Sequence, residues 1–234
     1  MNSTSIPSQA ADTAQEAATR TLIEKARDHL GSAVVSDVLD AAGFRRQCLG
    51  HGLHPLERDH VIVGTAFPVA IQRVFDIPEE PFAGLLAALD AIGPGDVFVT
   101  PTQRATDIAV WGELLSTASG RRGAVGALTD GLIRDTRAVR GLDFPVISAG
   151  TIPYDSKGRH EVVSYGAPCE IDGVRICRGD LIVGDSDGVV VVPQRLVDEV
   201  LEAALVKRSS EDEFRAAVAD GMLATEAFHK FGVL

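Results

Sequence analysis

Apolar residues change their spacing several times along the chain, and each change marks an element. Residues 13–30 carry Ala17, Leu22, Ile23, Ala26 and Leu30 at roughly helical intervals, and Gly31 ends the run. Ser36, a good helix cap followed by Asp37, predicts a second short helix that stops at Gly43. Residues 61–71 are rich in β-branched side chains and read as strand, interrupted at Gly64 and Pro68. Residues 81–92 predict an amphipathic helix, with Pro81 in its first turn and Glu79 and Glu80 just ahead of it. Gly93-Pro94-Gly95-Asp96 is a turn feeding the buried strand Val97-Phe98-Val99.

Further on, strand is expected over 107–111, helix over 113–122, strand over 124–128, a short helix over 134–140 and strand near 146–148. Alternation of this kind favours an α/β core with some parallel pairing. From Thr151 the texture changes. Pro153-Tyr154-Asp155-Ser156-Lys157-Gly158 is a loop, and short strands follow near Val162 and over 167–171, 174–176, 181–183 and 189–192. Such closely spaced strands predict an antiparallel or mixed β layer. Residues 193–221 form the longest helical run. No repeat and no linker divides the chain. The expected organisation is a loose, disorder-prone arm over 1–20 and one α/β domain over 21–234.

Composition narrows the function. A formal net charge of -11 opposes sequence-independent binding to nucleic acid and attraction to anionic membranes, since both need an excess of Lys and Arg. It leaves small anionic substrates open, because a local Arg outweighs a negative global field at contact range. No apolar run has the length of a membrane span and no secretion signal opens the chain. Cys48, Cys169 and Cys177 form no C-x-x-C pair, which suits a reducing cytoplasm and gives no sign of disulfides or a zinc site.

The candidate chemistry lies in two short segments. In Thr129-Asp130-Gly131-Leu132-Ile133-Arg134-Asp135, a guanidinium suited to a substrate carboxylate adjoins a carboxylate suited to a hard divalent cation. Upstream, Gly112 of Trp111-Gly112-Glu113-Leu114-Leu115 separates a strand-like run from a helix-like one, and free backbone N–H groups at a helix start hold anions. Together they describe a site for a small oxyacid. Each has an ordinary alternative: a surface ion pair at a helix end for Arg134-Asp135, and a strand-to-helix turn for Gly112-Glu113.

Other motifs carry less. Gly184-Asp185-Ser186-Asp187-Gly188 has its glycine too early for a calcium loop and reads as a turn between apolar strands. His51 and His54 have no third ligand nearby and read as loop histidines. Lys157 and Arg159 are basic points on a solvated loop, and Trp111 reads as core. No Walker loop, G-x-G-x-x-G or G-x-S-x-G occurs, which removes support for nucleotide binding, serine hydrolysis or a methyltransferase cofactor loop.

From Ser36-Asp37-Val38-Leu39-Asp40 to the long C-terminal helix, the chain resembles the RraA-like family. That family includes the regulator of ribonuclease activity A and class II aldolases for 4-hydroxy-4-methyl-2-oxoglutarate and 4-carboxy-4-hydroxy-2-oxoadipate. The likeness rests on Gly112-Glu113-Leu114-Leu115, on Asp130-Gly131 with Arg134-Asp135, and on Gly179-Asp180 leading to Asp187-Gly188-Val189-Val190-Val191-Val192-Pro193. It implies a swivelling β/β/α layered α/β fold with a mixed sheet and a long C-terminal helix, assembled as homotrimers or homohexamers with sites between subunits. It further implies Asp135 as ligand to Mg²⁺ or Mn²⁺, Arg134 holding substrate, and Gly112, Glu113, Leu114 and Leu115 meeting the pyruvate portion through backbone amides. Glu113 would be the acid that touches metal-bound water, and Glu211 is a candidate for an acid contributed by a neighbouring subunit.

The activity so implied is a metal-dependent lyase that cleaves or decarboxylates a 2-oxo acid through a metal-stabilised pyruvate enolate. The alternatives are a non-catalytic regulator that binds a protein partner, and a related lyase on a sugar acid. One departure bears on substrate. Family aldolases commonly follow Arg-Asp with two residues and then an acid, whereas here Thr136-Arg137 leads to Ala138. The long N-terminal arm and the insertion-like stretch 76–81 also suggest a divergent branch.

Overall fold

The computed structural model describes residues 9–234 in backbone and residues 17–234 in side chain. The chain opens with helices α1 (Gln9–His29) and α2 (Ser32–Ala41), then a two-residue strand β1 (His54–Pro55) and the long strand β2 (Ile62–Arg73). Next come α3 (Ala83–Ala91), β3 (Asp96–Thr100), β4 (Ala109–Trp111), α4 (Glu113–Arg121), β5 (Gly126–Thr129), β6 (Leu132–Ile133), α5 (Thr136–Arg140), β7 (Val146–Ser148) and β8 (Gly150–Thr151). The last third holds β9 (His160–Tyr165), β10 (Cys169–Ile171), β11 (Val174–Ile176), β12 (Leu181–Gly184), β13 (Val189–Val192), α6 (Val197–Ala219) and α7 (Ala224–Phe231). Of the expected arm over 1–20, residues 1–8 lie outside the described residues, and α1 takes up the chain from Gln9.

The main sheet runs β1-β7-β5-β3-β2-β12-β13, and β9 also pairs with β2. Strands β2, β3, β5 and β7 are parallel, while β12, β13 and β9 are antiparallel. This is the expected mixed sheet. Its apolar runs are continuous because both faces are covered. On β2, Val63, Phe67 and Val69 face the helices, and Ile62 and Ala66 face the opposite layer. The same alternation separates Val183 from Ile182, Phe98 from Val97 and Val99, and Val190 from Val189 and Val191.

Helices α1, α2 and α6 cover the antiparallel end of one face, with Ala26, Val35, Leu39, Leu201 and Ala204 packed on it. Phe98, Trp111, Ile133 and Phe144 build the core beneath α3, α4 and α5. The other face carries the β10–β11 hairpin, whose Ile171, Val174 and Ile176 pack on Ile182 and Val191. A small parallel sheet, β4-β6-β8, stands apart and carries the candidate residues.

Three expectations change. Helix α2 begins at Ser32 rather than Ser36, because the cap comes from far away. Asp185 accepts from Ser32 N at 2.6 Å and from Ser32 Oγ at 2.7 Å. That also gives the Gly184–Gly188 turn its role. Strand β2 is not interrupted. Pro68 sits where its antiparallel partner changes from β12 to β9, so its missing N–H costs no ladder bond. Gly64 is required by close approach: a Cβ there would stand 2.6 Å from Gly95 O and 2.4 Å from Val125 Cγ2. His54 pairs with Ser148 in a strand and is not a loop residue. The long helix expected over 193–221 is α6, and a further helix, α7, that the sequence reading did not include follows it from Ala224. Among the described residues no helix is long and apolar enough to cross a membrane.

Candidate active site

Strand β4 ends at Trp111, Gly112 turns the chain, and α4 begins at Glu113. Beside it β6 ends at Ile133, so Arg134 and Asp135 follow the neighbouring parallel strand, and the short helix expected from Arg134 begins two residues later with Asp135 as its N-cap residue. The donor Arg134 N reaches Trp111 O at 2.9 Å, fastening the two strand ends together. Asp135 then takes φ 56°, in the left-handed region where Asp is tolerated better than most residues, and α5 starts behind it. A side chain held there at some conformational cost is a feature of functional sites.

The resulting geometry is compact. A Cβ on Gly112 would lie 2.8 Å from Asp135 Oδ2 and 3.3 Å from Arg134 Cγ, so glycine is what lets the carboxylate approach the helix start. Gly112 itself is extended, and no side chain caps α4. The N–H groups of Glu113, Leu114 and Leu115 therefore lack side-chain acceptors at the positive end of the helix dipole. Asp135 and Arg134 are both partly exposed, with Arg134 Nε 3.6 Å from Asp135 Oδ2.

The helix start is held rigidly. Trp111 Nε1 donates to Ser116 Oγ at 2.8 Å, and that hydroxyl donates to Gly112 O at 3.0 Å. Trp111 is buried against Phe98, as expected of a core residue. Thr117 donates to Glu113 Oε1 at 2.9 Å, steadying this acid along the helix. Leu114 is exposed and Leu115 packs on the core.

Two further acids have distinct positions. Asp130 is buried and accepts from Thr102 N at 2.5 Å, Thr102 Oγ1 at 2.9 Å and Arg104 N at 3.2 Å. Its oxygens are used to pin the loop after β3, which makes it a support. Arg104 continues the connection through two donor bonds to Asp172, in the β10–β11 turn. Asp155, in the loop after β8, lies 3.6 Å from Arg134 Nη1, so the guanidinium stands between two carboxylates. Sequence reasoning missed both Asp155 and Ser116. Ser116 could have been found as the residue four after Gly112, whereas nothing local marks Asp155.

Glu211 is elsewhere in this chain, on α6 and paired with Lys207 at 3.3 Å. Arg159 donates to Asp155 O and stacks on Tyr154, while Lys157 is exposed. Among the described residues, no group of three or more His, Cys, Asp or Glu side chains is placed to share a metal ion. Asp135, whose carboxylate is partly exposed, is a residue that could hold a cation here.

Comparison with known proteins gives a consistent picture. A protein of Halalkalibacterium halodurans named "Putative 4-hydroxy-4-methyl-2-oxoglutarate aldolase" is 31% identical over 194 residues, 83% of this chain and 87% of that one. Protein DlpA of Legionella pneumophila is 29% identical over 200 residues, 84% of this chain. The chain spans 31% of DlpA's length. Among solved structures, Streptomyces coelicolor RraAS2, described as an unusual member of the RNase ES inhibitor RraA protein family, superposes with TM-score 0.73 at 30% identity. That match covers 83% of this chain and 96% of the other. The family model described as Aldolase/RraA matches residues 32–191, from the first turn of α2 to β13 and across both strand ends that carry the site. The chain therefore belongs to the RraA-like family.

Proposed function

We propose that the protein is a divalent-metal-dependent lyase for a small 2-oxo acid, acting by retro-aldol cleavage or decarboxylation. The observation that carries this reading is the meeting of Arg134, Asp135 and an uncapped helix start at Gly112. The name of the Halalkalibacterium relative supports the same class of reaction.

Asp135 suits a hard cation. Its carboxylate is half-exposed, accepts no hydrogen bond among the described residues, and has only the guanidinium contact at 3.6 Å. A single carboxylate is enough for Mg²⁺ or Mn²⁺, since such ions keep several waters and take oxygens from the substrate. When bound, the ion would supply Lewis acidity to the 2-oxo oxygen.

The chain's own groups do the rest. Arg134 offers its guanidinium edge to the substrate carboxylate and fixes the acid end. The N–H groups at Glu113, Leu114 and Leu115 face the negative charge that builds on the 2-oxo oxygen as the C–C pair moves toward it. In retro-aldol cleavage the substrate hydroxyl gives up its proton, the C–C bond breaks, and the enolate is protonated at carbon to leave a 2-oxo acid. Glu113, steadied by Thr117, is the carboxylate available to take the hydroxyl proton directly or through water. Ala138 follows Arg137 at the position where the family's aldolases commonly carry an acid, and this change bears on substrate choice and not on Arg134 or Asp135.

The test is pyruvate release from oxaloacetate and from 4-hydroxy-4-methyl-2-oxoglutarate, with Mg²⁺ and with chelator, corrected for metal alone. Chelator-sensitive release that disappears in Asp135→Ala is the expected result. No enzyme-dependent release from either acid, or full activity in Asp135→Ala, would overturn the assignment.

A further inference from the structure

A narrow cavity of about 30 Å³ opens at the carboxyl end of β3. Its walls are apolar, with Val69, Phe82, Leu85, Phe98, Val110 and Val162 among them. Thr100, Ser156, His160 and Glu161 are its polar lining residues, and two of them carry unpaired atoms. Thr100 Oγ1 and His160 Nδ1 are buried and have no hydrogen-bond partner among the described residues. Thr100 is only 4% exposed. Buried polar groups are nearly always paired, so two orphans lining one cavity call for a ligand group that pairs them.

The cavity adjoins the site on three strands of chain. Val110 stands two residues before Gly112, and Thr100 two residues before Thr102, which Asp130 pins. Ser156, also on the lining, follows Asp155, whose carboxylate is 3.6 Å from Arg134. Three short segments thus contribute residues both to the cavity wall and to the surroundings of Arg134, the relationship that a short acid bridging the two would require.

We propose that this cavity is the subsite for an uncharged, hydroxyl-bearing end of the acid, a hydroxymethyl or similar group, hydrogen-bonded by Thr100 and His160. The proposal rests on the reading of Arg134 as the holder of the substrate carboxylate. Size fits, since about 30 Å³ takes one or two water-sized groups. Chemistry fits as well. A hydroxyl both donates and accepts, as does Thr100 Oγ1, and an imidazole nitrogen does one or the other. A second carboxylate does not fit this cavity, because it would be stripped of water and would meet Glu161 on the lining, so the second carboxylate of a dicarboxylic substrate would lie outside it. Burial also holds His160 toward its neutral form, so its imidazole brings no positive charge to an anionic tail.

The test uses the full-length protein with ¹⁵N-labelled histidine, in Mg²⁺ buffer. It is titrated with methanol, pyruvate, 4-hydroxy-2-oxobutanoate and 2-oxoglutarate, reading the His160 ring resonances and the dissociation constants. Methanol should shift His160 in the wild type and not in Thr100→Val. The hydroxyl-tailed acid should bind about fivefold tighter than pyruvate, the gain expected of one added hydrogen bond. That gain should vanish in Thr100→Val and persist in Thr100→Ser, whereas the affinity for 2-oxoglutarate should not change in Thr100→Val. A gain that survives Thr100→Val, a 2-oxoglutarate affinity that falls in Thr100→Val, or a His160 ring indifferent to methanol would overturn the proposal. Failure of pyruvate itself to bind would instead remove the acid-end reading, and the methanol response would then decide the cavity alone.

Discussion

Asp135 Oδ2 lies 2.8 Å from the point where a side-chain carbon on Gly112 would stand. The candidate carboxylate and the start of α4 are thus in contact only because residue 112 has no side chain. Gly112→Ala is allowed by the extended backbone, so its cost falls on the site and not on the fold. The expected outcome is a loss of kcat/KM of about a hundredfold, the scale of a misplacement near 1 Å, with a melting temperature close to wild type. Steady-state kinetics beside a thermal melt check this.

Ser116 joins the chain's one Trp to the Gly112 carbonyl. Ser116→Ala leaves the Trp111 N–H buried without an acceptor, at a cost of about 1–3 kcal/mol. Urea unfolding followed by tryptophan fluorescence should show a lowered midpoint with unchanged slope. A midpoint equal to wild type would mean the Trp111 N–H has another acceptor.

Asp130 should behave as a support and not as a ligand. Asp130→Asn turns an amide against the Thr102 and Arg104 donors, and a destabilisation of about 1–3 kcal/mol is expected. The metal concentration giving half-maximal activity should stay within about twofold, a difference under roughly 0.5 kcal/mol. A tenfold rise in that concentration would make Asp130 part of the cation site.

His160 gives stability a dependence on pH. Burial holds its folded-state pKa below the ordinary 6.5, with Asp107 opposing and Arg73 reinforcing the shift. Between the folded value and 6.5 the unfolded chain binds more protons, so stability falls as the solution is acidified below 6.5 and levels off beneath the folded pKa. Urea midpoints from pH 7.5 to pH 5 should lose this component in His160→Gln. An identical slope in both proteins would refute the assignment.

Cysteine reactivity should be uneven. Burial pushes the Cys169 thiol up to about 12, whereas Cys48 is exposed. With a thiolate-selective reagent at pH 8, Cys48 should react first and Cys169 only after unfolding. Peptide mapping of the labelled protein distinguishes them.

The parts of the fold legible in the sequence were those whose physics is local. Val97-Phe98-Val99 and Val189–Val192 read as strands because residues buried on both faces leave an unbroken apolar run. The start of α2 was misread because its cap, Asp185, stands 153 positions away. Pro68 looked like a strand break because a change of pairing partner has no local signature. At the site, Arg134, Asp135 and the Gly112 turn were found as a group, since their chemistry is written in residue type. The left-handed backbone at Asp135 and the approach of Asp155 come from tertiary structure and were not readable.

Strand β2 has a bearing on how the molecule is made. Its parallel partner β3 follows soon after it, but its antiparallel partners β9 and β12 lie in the last third of the chain, where Leu181 must travel back to Thr65. During synthesis one edge of the longest strand therefore stays open until most of the chain has emerged. Pairings so distant in sequence form slowly, and an open apolar edge invites association with other chains. Yield on expression should accordingly respond more to temperature and chaperone supply than the finished fold's own stability would suggest.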